Sequence, residues 1–143
     1  ATLLALYGSA SITGTMLATR AVRLLGVRAT TTAFLSLTLL GLILWAIKFS
    51  FLPLIGGSLF IWGIGMSPAI AAQQARLIET NPLAASASTS LNTSIVYLGQ
   101  AVGTSAGGMM LVKGLPGLSA GLAIGLLASA VTLSLLLHLR LRI

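Results

Sequence analysis

The stretch SLNTSIVYLGQAVGTSAGGMML, residues 90–111, decides how the chain must be read. The run is mostly apolar, yet it carries Gly99, Gly103, Gly107 and Gly108, with Asn92 and Gln100 among them. In water each glycine weakens a helix by about 1 kcal/mol relative to alanine, so a solvated helix of this composition is diluted by its own breakers. In lipid the same residues have a use. Helices there feel no hydrophobic drive toward one another, and association depends on close packing and interhelical hydrogen bonds, which favour small-xxx-small faces. Projected as a helix, Ser88, Asn92, Val96, Gly99, Gly103, Ala106 and Gly107 share an arc of about 100°. That smooth face either packs against a neighbouring helix or lets helices slide during a working cycle.

Composition supports the lipid reading. Of 143 residues, 57% are hydrophobic and 6% charged, and mean hydropathy is +1.07. A soluble domain carries about 25% charged residues, so this chain cannot build a water-soluble surface. The expected class is an all-α membrane protein. A net charge of +7 raises the question of nucleic acid, whose binders cluster Lys and Arg on one face or stripe. Here Arg20, Arg23, Arg28, Lys48, Arg76, Lys113, Arg140 and Arg142 fall between or at the ends of apolar runs, the positions that set membrane topology. No nucleic-acid partner is expected. The absence of cysteine excludes disulfides, thiolate-ligated zinc and a cysteine nucleophile. The lone His138 and lone acidic residue, Glu79, leave no metal cluster and no carboxylate pair, so no cofactor, metal site or enzymatic activity is expected.

A membrane-spanning helix needs about 20 predominantly apolar residues. Five segments qualify within a single helical bundle: about 1–18, 30–47, 51–72, 86–112 and 115–137. RAVRLLGVR (20–28), KFS (48–50), ARLIETNP (75–82) and KGLP (113–116) connect them, the last with glycine closing one helix and proline opening the next. Because loops alternate sides, Arg20, Arg23, Arg28, Arg76, Arg140 and Arg142 share one side, against Lys48 and Lys113 on the other. This positive-inside bias places the C-terminus in the cytoplasm. Five crossings then leave Ala1 outside, and the opening run lacks the basic n-region of a signal peptide. The expectation is a chain that begins inside something larger.

No catalytic constellation is present. GIGMSP (63–68) lacks the third glycine of a dinucleotide fingerprint and lies inside a span. NTS (92–94) matches a glycosylation site but also falls within a span. The candidates are of another kind. Gln100 lies at the edge of the glycine arc near mid-span, where a polar side chain requires another helix or a water-filled cavity. Transporter substrate sites lie near the midplane. Gln100, Asn92 and Tyr97 are therefore the substrate-cavity candidates, with a structural hydrogen bond as the alternative for Gln100 and a lipid or helix contact for Tyr97. Gly99, Gly103 and Gly107 are packing or gating candidates. So are Gly63, Gly65 and Pro68 in the third span, where proline removes a helical hydrogen bond and favours a bend. No Asp, Glu, Lys, Arg or His sits well inside a span, so a proton-coupling carboxylate would lie outside these residues.

Two stretches carry a resemblance. TRAVRLLGVR (19–28) aligns without gaps with the loop pattern G-R-L-A-D-R-x-G-R-R: Arg20, Gly26 and Arg28 match, while Thr19 replaces the glycine and Arg23 the aspartate. The stretch from Trp62 to Gly108 resembles a tenth helix, cytoplasmic loop and glycine-rich eleventh helix. Together they resemble helices eight to twelve of a major facilitator superfamily transporter, in the drug:proton antiporter and sugar-efflux-like group. Helices two to six fit less well, because the third span lacks an arginine and Thr104 rather than proline follows Gly103. The resemblance implies five helices forming most of one six-helix bundle, in the inner (plasma) membrane. It implies proton-coupled export of a small drug- or sugar-like molecule by alternating access, with the N-terminal half and membrane lipid as partners. The third and fourth spans would contribute to the cavity or bundle interface. A self-contained small membrane protein with a structural or assembly role is the alternative.

Overall fold

The computed structural model describes residues 2–47 and 51–140, with side chains described through Leu137. Ala1, the KFS turn, the His138 and Arg140 side chains and Arg142 lie outside the described residues. Among the described residues the fold is all-helical: α1 (Thr2–Ala46), α2 (Leu52–Thr80), a 3-10 turn (Pro82–Ala84), α3 (Ala85–Val112) and α4 (Pro116–Arg140). Each of the four α-helices is long and apolar enough to cross a membrane.

The stretch 20–28, expected as a loop, is helical except at one residue. Gly26 stands at φ 79°, ψ 163°, a region that is essentially glycine-only, and it splits α1 into arms 2–25 and 27–46. The contacts show that the chain reverses there. In the first arm Leu6 meets Gly56, Ala10 meets Gly63 and Ser11 bonds to Ser67, so residue numbers rise together. In the second arm Phe34 and Thr38 meet Gly65 while Gly41 meets Trp62, so they run oppositely. The arms are therefore antiparallel, and α2 lies between them.

The reason is written in α2 itself. Gly63 and Gly65 are two residues apart, so their Cα atoms face nearly opposite sides of a 3.6-residue helix. A Cβ on Gly63 would reach 2.9 Å from the Ala10 Cβ; one on Gly65 would reach 2.5 Å from the Thr38 amide nitrogen. The arms answer with glycines of their own. Gly14 packs on the Ile64 carbonyl, and a Cβ on Gly41 would sit 2.5 Å from the Trp62 nitrogen. Pro68 lies inside α2 and is buried. Lacking an N–H, it leaves the carbonyl four residues earlier without its helical donor. That carbonyl belongs to Ile64, the atom that Gly14 covers.

Helix ends follow local chemistry. Asn81, which precedes Pro82, leaves the α region (φ −147°, ψ 86°), as residues before proline tend to. Its side chain accepts from the Ala84 amide, opening the 3-10 turn. α3 closes with Gly114 at φ 71°. Gly114 N–H donates to Leu111 O at 3.0 Å and Leu115 N–H to Met110 O at 2.8 Å, a Schellman closure. Pro116 then opens α4.

Burial is inverted relative to a water-soluble protein. The largest fully buried side chains are Thr30, Thr31, Thr38, Pro68 and Ser58, while Leu4 and Leu126 are about three-quarters exposed (77% and 74%). The hydroxyls are satisfied within their own helices: Thr30, Thr31 and Thr38 donate to carbonyls four residues back, each at 2.8 Å. Ala18, Phe34 and Ala69 form the apolar centre of the three-way contact. α4 joins through the second arm, where the Thr32 and Ser134 hydroxyls meet at 2.7 Å. α3 touches α2 and α4 and buries no residue.

Candidate functional site

A cavity of about 440 Å³ lies among the second arm of α1, α2, α3 and α4. Away from Gly26 it is lined by Leu35, Thr38, Met66 and Leu127; towards the Gly26 end it meets Thr31, Gln73, Arg76, Asn92 and Leu137. Gln73 and Arg76, three residues apart, project from one face of α2, and Asn92 and Val96, four apart, from one face of α3. Gln73, Arg76 and Asn92 thus converge at one end of a mostly apolar chamber. Its size falls within the ~300–1,000 Å³ of small-molecule sites.

A second cleft, about 340 Å³, lies at that same end and is bounded by Leu25, Gly26, Val27, Arg28, Arg76, Glu79 and Thr80. Arg76 lines both spaces. It belongs to α2, which continues as helix through 75–80 where the sequence reading placed a connection. Arg20 and Arg23 border a further opening beside Leu24. Four arginines therefore gather at the Gly26 end of the bundle, with Lys113 at the other end, between α3 and α4.

The sequence candidates separate in space. Asn92 lines the cavity. Tyr97 is 65% exposed, and Gln100 is exposed, its main-chain carbonyl accepting from Thr104 Oγ1. Neither lines the cavity. Along the glycine arc, a Cβ on Gly99 or Gly103 would meet no atom within 4 Å, and one on Gly107 would sit 3.4 Å from Ser119 Oγ. The arc touches the bundle near both helix ends, where Asn92 and Gly107 are partly buried, and stands free in the middle. Gly63, Gly65 and Pro68 are buried in the α1–α2 contact. Arg20 and Arg23 are exposed, Gly26 makes the reversal, and Arg28 is partly buried in the cleft.

The sequence reading took Arg76 as a loop charge and singled out none of Gln73, Thr31, Thr38 and Ser134. It also passed over Gly14 and Gly41. Ala10, Gly14 and Ala18 fall at four-residue spacing, the small-xxx-small signal that identifies this face. No protein-family model, curated protein or solved structure matches the chain.

Proposed function

We propose that this chain is the C-terminal bundle of a secondary active transporter of the major facilitator kind. It crosses the inner membrane five times, two of the crossings being the arms of α1, and exports small drug- or sugar-like molecules by alternating access. The supporting observation is the free middle of α3, where a Cβ on Gly99 or Gly103 would meet no atom within 4 Å and Gln100 is exposed. In hydrocarbon, a mid-span glutamine beside a small-residue face calls for another helix or a wet cavity. A second bundle across that face supplies both. The arginines at the Gly26 end support reading that end, and the C-terminus with it, as cytoplasmic. Coupling to protons then relies on carboxylates of the partner bundle, since Glu79, the one acidic residue, lies in the last turn of α2.

The test is flux in proteoliposomes holding the whole gene product under an imposed proton gradient, with a panel of lipophilic dyes and sugar analogues. Gradient-dependent transport is expected, and Gln100→Ala should change its rate or substrate profile more than the amount of folded protein. A chain that instead forms a stable, homogeneous oligomer without flux would establish the self-contained membrane protein in its place.

A further inference from the structure

The spaces on either side of Arg76 differ in chemistry. On one side the 440 Å³ cavity runs between Leu35, Met66 and Leu127. On the other, the 340 Å³ cleft presents Arg28, Arg76 and Glu79 at the end of the bundle. We propose that the two together form a binding site for a single-chain anionic amphiphile, with its head at Arg76 and Arg28 and its hydrocarbon tail in the cavity.

The chemistry of the lining selects this class. A guanidinium presents a fork of donors that matches carboxylate or phosphate oxygens bidentately. Gln73 and Asn92 at the same end add amide donors. Two guanidiniums against the Glu79 carboxylate leave the cleft one unit positive, which favours an anion and disfavours a cation. Beyond Arg76 the lining is almost wholly hydrocarbon, and the Thr38 hydroxyl already donates to Phe34 O at 2.8 Å, so a polar body finds few free partners there. Along α2, Met66 and Arg76 are ten residues apart, roughly 15 Å at 1.5 Å per residue, the reach of a medium-length acyl chain. The site lies inside this bundle, away from the free face of α3. Binding there is an equilibrium property that does not depend on transport.

The experiment is saturable binding of radiolabelled dodecanoate to the purified whole gene product in phosphatidylcholine nanodiscs. Dodecanol and dodecyltrimethylammonium should compete at least tenfold more weakly than dodecanoate. Arg76→Gln should weaken dodecanoate at least tenfold and leave dodecanol unchanged, whereas Arg76→Lys should retain most of the affinity. Glu79→Gln should tighten dodecanoate by removing a like charge, an effect that a purely structural role would not produce. Val96→Trp, which fills the cavity, should weaken all three ligands. Dodecyl phosphate in the same assay separates the two sources of such a head: tighter binding than dodecanoate assigns a lysophospholipid-like ligand, weaker binding a fatty acid. The proposal is overturned by an absence of saturable binding, by equal affinity for the alcohol, or by unchanged dodecanoate binding in Arg76→Gln. If that variant does not fold, the wild-type competition series and Val96→Trp decide the matter.

Discussion

Replacing Gly65 by alanine adds one methyl group at the tightest point of the contact between α2 and the second arm of α1. The new Cβ would lie 2.5 Å from Thr38 N and 2.7 Å from Phe34 O, and would strike Thr38 Oγ1. Because the Thr38 hydroxyl donates to the Phe34 carbonyl, the methyl lands on both ends of an existing hydrogen bond and on backbone that cannot rotate away. Overpacking of this kind costs about 1–3 kcal/mol, and contact with backbone places Gly65→Ala at the upper end. Alanine returns about 1 kcal/mol of helix propensity on the aqueous scale, leaving a net loss of about 2 kcal/mol. Gly57, in the same helix, has nothing within 4 Å of its Cβ direction, so Gly57→Ala keeps the gain without the clash. The two variants should differ by about 3 kcal/mol, on the order of a hundredfold in the folded-to-unfolded ratio. Reversible unfolding in mixed micelles, followed by far-ultraviolet circular dichroism, measures the difference. Equal stability of the two variants would refute the two-sided glycine contact.

Three further outcomes are expected. Gly26→Ala should cost about 1–3 kcal/mol from backbone conformation alone, since its Cβ would meet no atom within 4 Å; unchanged unfolding would mean that the chain reverses elsewhere. A double-mutant cycle of Thr32→Ala and Ser134→Ala should give a coupling of about 0.6 kcal/mol, the average for such bonds in membrane helices, and zero coupling would remove the 2.7 Å bond from the account. Gly103→Leu should leave the stability of this chain within about 0.5 kcal/mol, because nothing faces it, yet on the proposed reading it should abolish flux by the whole gene product. Normal flux in that variant would take the second bundle away from the α3 face.

What was legible in the sequence is what acts locally. Apolar run length marks the helices, and Gly114 and Pro116 end one and begin the next through their own backbones. Gly26 reads as part of a loop because arginines surround it, yet arginine is a good helix former and only the glycine departs from helical angles. Which small residues find partners is not local. Gly63, Gly65, Gly99 and Gly103 look alike in sequence; the first two are clasped from opposite sides and the last two face nothing. Asn92 and Gln100 differ for the same reason. α3 meets the bundle near its ends, so Asn92 falls on the cavity while Gln100, two turns on, falls outside it. Arg76 was hidden by the assumption that charge marks a loop, whereas helix α2 carries it past the end of its apolar run.

The α1 hairpin also imposes an order in time. Gly41 emerges from the ribosome before its partner Trp62 by 21 residues (62 − 41). At about 5–20 residues per second that is a wait of roughly 1–4 s, during which the hairpin stands with the place of α2 empty. Its waiting wall is rich in hydroxyls, which out of water cost free energy unless they are hydrogen-bonded. Thr30, Thr31 and Thr38 have each already spent their proton on a carbonyl of their own helix. These three hydroxyls of the nascent hairpin can therefore wait with their protons already placed, and of the wall that receives α2 the Ser11 hydroxyl is left to find its partner in Ser67.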